Sequence, residues 1–479
     1  AVLAWTRVKY RFKGAKILDI TAWTLMIIPS FILAQGWVYF ASGDGVAKAW
    51  LGLDWMSSFV FSYPGLVTVM TLCKWPMAYI TIKTALEWEP IRLMHAARMS
   101  GASSFQVWRD VQLPLTLPAL CSAAMLIFMD TVGDYGLSST ITAVYSYPTL
   151  PYTIYSAICT SPARFDMAGV LSLCLMILIV LAMIIQYKAL GAKRFDFLDN
   201  GTQQTTLQSL GRGKGMCLSI GCLIYVMISI GIPMVSSLIM SFSSAISLTK
   251  FTFTLDNYRN ILSADSTLLV GIAHSLGLAV IAAGIGLLIA FCCAYVLTYA
   301  KTPLKKAIDM TTLVAMAVPG IVLGVGYIFV WNQKWLVPIG LHLYGTPAIL
   351  VLAVVAAAIP LINRILVAGM AKIPESLLVA AEMQGAGFFT KIKTILLPLL
   401  HNSSVSAVLS AFGGSIFNLA ITTILYPPNW ETLPVWISDS YNDLKFGDAA
   451  AATIVSGICI ITIMVLLERL LNMKRARKG

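Results

Sequence analysis

PIRLMHAARMSGASSFQVWRDVQLPL, residues 90–115, and PESLLVAAEMQGAGFFTKIKTILLPL, residues 374–399, are two copies of one segment. Pro90, Leu93, Ala96, Ala97, Met99, Gly101, Ala102, Phe105, Leu113, Pro114 and Leu115 recur as Pro374, Leu377, Ala380, Ala381, Met383, Gly385, Ala386, Phe389, Leu397, Pro398 and Leu399. These are 11 identities in 26 columns, where residue frequencies of about 7% give about two by chance. The chain is an internal duplication. Each copy is polar, helix-forming and set between long apolar runs, so the best-matched part of the repeat lies outside the lipid. Helix packing alone does not explain that, and something beyond the lipid must read both copies.

The rest of the chain sets the surroundings. With 58% apolar residues, 11% charged residues and a mean hydropathy of +0.82, the 479 residues do not have the composition of soluble domains. Runs of about 20 apolar residues predict roughly ten spans: 16–40, 63–86, 115–139, 166–187, 216–241, 268–299, 307–331, 347–371, 399–424 and 449–471. Backbone groups find no water in hydrocarbon, so each span is expected to be helical. The runs show no two-residue alternation, which argues against a barrel. The expected fold class is an all-α polytopic membrane protein.

The net charge of +12 is distributed by side rather than spread as a nucleic-acid footprint. Residues 1–16, both repeated segments, the link 188–215, the loop 300–306 and the tail after Asn472 hold 22 of the 33 Lys and Arg, and the opposite loops six. That asymmetry predicts that both repeated segments and the C-terminal tail face the cytoplasm. The tail residues Lys474, Arg475, Arg477 and Lys478 then serve as a topology anchor that also meets anionic lipid headgroups. The nine cysteines have no metal or redox spacing. Cys73, Cys121, Cys174, Cys217, Cys222, Cys292 and Cys293 fall in or beside spans and read as small core residues.

A second offset measures the first half against the second. Ala4, Trp5, Asp19, Pro29, Leu33 and Gly36 align with Ala294, Tyr295, Asp309, Pro319, Leu323 and Gly326 at 290 residues. On this ruler Ala1 falls near the end of span 268–299, so the ruler predicts a natural chain longer at its N terminus by about two helices, roughly 80 residues, with twelve spans in two modules of six. Both repeated segments on one side imply modules of the same orientation, parallel repeats about an axis along the membrane normal. The expected division is a first module at 1–187, a cytoplasmic linker at 188–215 and a second module at 216–479. Lys188, Lys193, Arg194, Asn200, Gly201, Gln203 and Gln204 give the linker its polar, turn-rich character.

The spacing of Ala96, Ala97, Gly101, Val111, Leu113 and Pro114, repeated as Ala380, Ala381, Gly385, Ile395, Leu397 and Pro398, resembles the EAA loop of binding-protein-dependent ABC importer permeases. The likeness covers nearly the whole chain and is closest to permeases that fuse both transmembrane halves, as in ferric-iron-type importers. Physically, Pro90 and Pro374 suit the first turn of a short helix, the Ala pair keeps its face shallow, and Gly101 or Gly385 permits a tight exit. Leu-Pro is expected to close a second short helix before the chain re-enters the membrane. Such a helix can dock in a groove of a partner. The resemblance implies that this partner is a cytoplasmic ATPase dimer, which holds the ATP and magnesium, and that a periplasmic or lipid-anchored binding protein delivers the solute. The family's Glu is replaced by His95 in one copy and Val379 in the other, with Glu89, Glu375 and Glu382 nearby. A bland alternative makes the repeated segments plain connectors.

Other polar residues are weaker candidates. Asp130 and Asp134 lie at the end of span 115–139, with Asn418 in register with Asp134. Intramembrane carboxylates commonly face a cavity or a partner, so they read as pathway or gate residues, or as caps of helix ends. Lys74 needs an interior partner, with a structural ion pair as the default, while Lys83 can snorkel. Pro29/Pro319 and Pro76/Pro360 mark breaks at matching depths, and Gly320, Gly324 and Gly326 allow close helix approach for packing or gating. Tyr135, Tyr145, Tyr147, Tyr152 and Tyr155 read as an aromatic belt. His274 and His401 have no matched ligand cluster, so no metal site is expected. Gly211 to Gly215 mimics a phosphate loop, but Lys214 is followed by Gly215 rather than a hydroxyl residue. The chain is therefore expected to be a non-catalytic translocation subunit that binds no cofactor itself.

The reading is an inner-membrane permease subunit of an ATP-driven importer, working by alternating access, with ferric iron the favoured cargo from the stretch Gly133, Asp134, Tyr135, Gly136 and the fused halves. Thiamine, phosphonate and polyamine permeases are alternatives within the class. An ion-coupled secondary transporter with parallel repeats is the alternative outside it, and it would need paired midplane carboxylates.

Overall fold

The computed structural model describes residues 1–87, 91–145, 148–191, 208–263 and 265–476. Pro90, Glu89, Tyr147, Arg477, Lys478 and the linker residues Lys193, Arg194, Asn200, Gly201, Gln203 and Gln204 lie outside them. The described chain is helical, apart from Tyr10–Arg11 and Gln208–Ser209, which pair in parallel, and one isolated bridge. Among the described residues seven helices are long and apolar enough to cross a membrane, or up to ten if each bent pair is one span. The fold is an all-α polytopic membrane protein.

Contacts group the chain into two compact units. The first comprises Ala1–Thr153, Val170–Ile239 and Ser247–Lys250; the second Ile154–Gly169, Met240–Ile246 and Phe251–Gly479. The two packing units are thus interleaved along the chain, whereas the sequence divides the duplication at a single linker.

In the second unit, the 32-residue helix Leu268–Tyr299 lies along Pro347–Met370. Its buried face is a seam of small residues, Ala279, Ala282, Ala283, Gly286, Ala290 and Ala294. Small side chains let backbones approach closely where the lipid supplies no hydrophobic drive. A Cβ on Gly286 would lie 2.8 Å from Ile362 Cδ1, so a larger residue there would force the helices apart. In the first unit, helix Val2–Lys9 is in register with the end of Leu268–Tyr299, and its Ala4 is as fully buried as Ala294. Helix Tyr63–Glu87 packs there against Val2–Lys9, Ala15–Ile27 and Leu113–Val132. Trp75 meets Tyr225 edge to face at 5.3 Å, which seats Arg212–Val226 in the same unit.

Two predicted spans are not straight. Ala15–Ile27 turns 106° into Ser30–Ala41, and Leu304–Ala317 turns 112° into Gly320–Trp331. Pro29 and Pro319 sit at the corners with identical backbone angles, φ −60° and ψ 143°. Ile28 and Val318 before them are extended, because a proline ring disfavours the helical conformation of its predecessor. Pro76 and Pro360 behave otherwise and lie inside continuous helices. No break occurs there, contrary to the expectation: Leu72, Cys73, Trp75, Pro76 and Tyr79 are all buried, and this packing keeps the helix continuous past the missing hydrogen bond.

The cysteine expectation is also corrected. Only Cys73 and Cys222 are buried, and the others are half-buried or exposed on outward faces. Tyr135 is 3% exposed, a core side chain of its unit rather than part of an outer aromatic belt.

Candidate functional site

The repeated segments fold alike. Ile91–Met99 and Glu375–Met383 are nine-residue helices. Each ends on a left-handed glycine, Gly101 with φ 87° and Gly385 with φ 83°. Their final carbonyls are satisfied in the same way: Gly101 N donates to Arg98 O and Ala102 N to Ala97 O, as Gly385 N donates to Glu382 O and Ala386 N to Ala381 O. Nothing lies within 4 Å of a Cβ built on either glycine. The requirement for glycine is therefore conformational rather than steric.

After the turn the copies start a second helix differently. Ser103 and Gln106 form a reciprocal capping box, whereas Gly387 offers no side-chain cap. Both helices then widen into π turns, Val107–Gln112 and Ile392–Leu396, immediately before Leu113-Pro114 and Leu397-Pro398. In the first copy Leu-Pro does not close the helix, contrary to expectation, but continues it into the span; in the second the helix ends at Leu399, directly after Pro398, as the spacing predicts. In α register each proline ring would press on the carbonyl four residues earlier, at Asp110 or Thr394, and would leave it without a donor. A π turn removes that conflict. The first copy runs on as Ser104–Val132, while the second bends by 74° between Leu399 and His401.

The surface of each segment is apolar and open. Met99 is 90% exposed, Met383 85%, Phe389 82% and Phe105 63%. Ala96 and Ala380 are exposed, and Ala97, Ala381, Ala102 and Ala386 half-exposed. Leu378 and Leu396 point inward. Solitary exposed apolar residues are ordinary; here a matched set recurs on two equivalent loops.

At the other end of each unit the bent spans meet a second pair of breaks. Leu113–Val132 stops at Gly133, and Asp134 Oδ1 accepts from Leu137 N at 2.9 Å to cap Tyr135–Tyr145. His401–Ile416 stops at Phe417, and Asn418 Oδ1 accepts from Ile421 N at 3.1 Å to cap Leu419–Leu425. Each capped helix packs on the second arm of a proline corner, Ser30–Ala41 or Gly320–Trp331. Ser30 Oγ donates to Asp134 at 2.9 Å. Gly320 holds the matching post, where a Cβ would sit 3.0 Å from Ala420 Cβ. Gly324 touches Ile424, whereas Gly326 faces open space.

Charge distinguishes the two breaks. Lys74 Nζ lies 2.5 Å from Asp130 and 2.6 Å from Asp134, a triad of net charge −1 in which Lys74 and Asp134 are largely buried and Asp130 is partly exposed. The residues in register with Lys74, Asp130 and Asp134 in the second unit are Ala358, Gly414 and Asn418, all neutral. Asp134 thus combines the cap and ion-pair roles. A second carboxylate pair ties each bent span to its straight neighbour. Asp19 accepts from Arg7 at 2.8 Å, Tyr79 at 2.6 Å and Lys83 at 2.8 Å. Asp309 meets Arg364 at 2.9 Å. The Asp19/Asp309 match was visible in the alignment, but Arg7, Tyr79, Ser30 and Arg364 carried no signal of their roles. Lys83 is drawn to Asp19 rather than left to snorkel.

His274 stacks on Trp430 at 4.0 Å and contacts Glu431 O, and His401 Nε2 is buried without a hydrogen-bond partner among the described residues. Among the described residues no group of three or more His, Cys, Asp or Glu is placed to hold a metal ion.

Comparison with known proteins agrees with this duplicated geometry. The ferric transport system permease protein FbpB of Actinobacillus pleuropneumoniae is 21% identical over 448 residues, 92% of this chain and 63% of its own length. A putative ferric transport system permease protein of Haemophilus influenzae is 24% identical over 401 residues, 81% of this chain and 61% of its own. The molybdenum transport system permease protein ModB of Escherichia coli is 31% identical over 189 residues, 38% of this chain and 78% of its own. The chain spans about three-fifths of the length of the two ferric relatives. The family model of binding-protein-dependent transport system inner membrane components matches twice, over residues 1–195 and 282–477, and the chain belongs to that family as a fused pair of ABC permease modules.

Proposed function

We propose that the chain is the translocation subunit of an ATP-driven importer, in which helices Ile91–Met99 and Glu375–Met383 face the cytoplasm and dock on a pair of ATPase subunits. The observation that carries this reading is the matched exposure of Met99 and Met383, 90% and 85%, on helices that end in the same glycine turn. ATP and magnesium belong to the partner, and a solute-binding protein delivers cargo at the opposite face. ATP-driven closure of the ATPases moves the modules between inward-open and outward-open states, with the breaks at Pro29, Pro319, Asp134 and Asn418 and the close approach at Gly320 as pathway or gate elements. Co-purification tests the reading: the chain should retain an ATPase, and Met99→Asp with Met383→Asp should release it. Retention of the ATPase by the double variant would refute the docking assignment.

Ferric iron is the cargo we favour. Two relatives that match over 81–92% of the chain bear ferric names, a third that matches over 96% is named only as a probable ABC transporter permease, and the molybdenum, 2-aminoethylphosphonate and spermidine/putrescine permeases match over 31–38% of it. Uptake of labelled ferric iron by proteoliposomes carrying the permease, its ATPase and its binding protein decides the matter. Competition by molybdate or a polyamine, with no iron uptake, would reassign the cargo.

A further inference from the structure

The two docking helices have the same fold but opposite charge. Ile91–Met99 contains Arg92 and Arg98 and no acidic residue; Glu375–Met383 contains Glu375 and Glu382 and no basic residue. Arg98 and Glu382 occupy the same register position. Their surroundings differ as well. Glu382 is paired with Lys391 at 2.9 Å, and Lys391 is 16% exposed, so the second loop neutralises this charge from beneath. The position matching Lys391 in the first loop is Val107, which is buried, and it offers Arg98 nothing.

Arg98 instead has a like charge beside it. Lys9 at the end of Val2–Lys9 is held below its ordinary pKa by burial and by Arg98, while its ammonium lies 4.4 Å from the Trp5 ring centre. Among the described residues neither Lys9 nor Arg98 forms an ion pair with an acid. The residue matching Lys9 is Tyr299, whose hydroxyl donates to Met370 O and Ile373 O and so ends in the backbone at the approach to its own docking helix. Among the described residues, Arg98 and Lys9 therefore carry positive charge with no acidic partner, where the second loop pairs Glu382 with Lys391. Uncompensated like charges carry a cost that an opposing surface relieves.

We infer that the first docking helix engages an acidic-rimmed groove of its ATPase subunit through Arg98 and Lys9, while the second docks chiefly by apolar contact through Met383 and Phe389. The inference rests on the ATPase-docking reading above. If the two ATPase subunits are identical, their grooves meet unlike helices, and docking is salt-sensitive on one side only.

The test measures binding of the cognate ATPase to the whole permease in nanodiscs of zwitterionic phosphatidylcholine, at low and high salt. Arg98→Glu is expected to weaken binding by about tenfold at low salt and to flatten the salt dependence, with Arg98→Lys close to wild type. Glu382→Gln should stay within about twofold. Equal losses from Arg98→Glu and Glu382→Gln, or an unchanged salt slope in Arg98→Glu, would overturn the inference. So would an Arg98 effect that appears only when anionic lipid is added, because the cations would then serve the membrane. If Met99→Asp with Met383→Asp abolishes binding while the charge variants change nothing, only this inference falls. If that apolar double variant binds normally, the docking reading falls and takes the inference with it.

Discussion

Asp134 and Asn418 hold one structural post in two chemical forms: each caps the helix after the second break by accepting a backbone N–H, at 2.9 and 3.1 Å. Only Asp134 is also gripped by a lysine. The cap needs an oxygen, and the charge answers to Lys74. Lys74→Ala should therefore leave the buried Asp134 carboxylate facing a partly exposed Asp130 and lower stability by about 2–3 kcal/mol. The triple change Lys74→Ala, Asp130→Asn, Asp134→Asn should recover most of that loss, read as the melting temperature in detergent. A triple variant no more stable than Lys74→Ala would show that the triad is not an electrostatic unit.

Asp19 and Asp309 are equivalent in register but not in surroundings. Asp19 is 19% exposed and binds two cations and a phenol, while Asp309 is 43% exposed and binds one arginine. Asp19→Ala should cost about 3 kcal/mol through the cations it strands, against about 1 kcal/mol for Asp309→Ala. Thermal shifts of the two variants side by side give the comparison, and the reverse order would contradict it.

At the docking turns, Gly101→Ala and Gly385→Ala should each cost about 1–2 kcal/mol of local stability, because a Cβ is disfavoured at positive φ. Since no neighbour would be struck, Gly→Asn should be milder than Gly→Ala. Hydrogen exchange in residues 91–102 and 375–386 reads the effect directly. If Ala and Asn behaved alike, backbone conformation would not be the reason for glycine.

Asp439, on the helix Leu433–Asn442 between spans, has its pKa raised to about 6 by burial, with Glu431 and Asp443 adding to the shift. A raised carboxylate pKa means that the folded state holds the proton more tightly, so ionisation opposes folding. The penalty is absent below the unfolded pKa of about 3.9, grows as pH rises toward 6, and is complete above it. Asp439→Asn should raise the melting temperature at pH 8 and leave it unchanged near pH 4. A stabilisation equal at both pH values would point to packing instead.

Much of this architecture was legible in the chain because duplication and hydropathy are local signals. The repeated glycines, the Ala pairs and the corners at Pro29 and Pro319 all act within a few residues of themselves. Pro76 and Pro360 show the limit of such reading: the same residue type breaks one helix and not another. At Pro29 the second arm gains its own packing partner, Tyr135–Tyr145, while at Pro76 the straight helix keeps Trp75 and Tyr79 buried. Most partners of Lys74 and Asp19 were hidden for a related reason, since Asp130, Asp134, Tyr79 and Lys83 come from helices 56 or more residues away. The π turns were invisible because hydrogen-bond register leaves no mark on hydropathy.

Those π turns have a mechanical consequence. An extra residue in a helical turn can migrate along the helix, and each step would re-aim the one residue it passes by about 100° at 3.6 residues per turn. Pro114 and Pro398 block that migration, because the tighter register behind them is sterically closed. In the first copy, where Ser104–Val132 is one continuous helix, the loop and the span are thus held in a single register; in the second the 74° bend beyond Leu399 separates them.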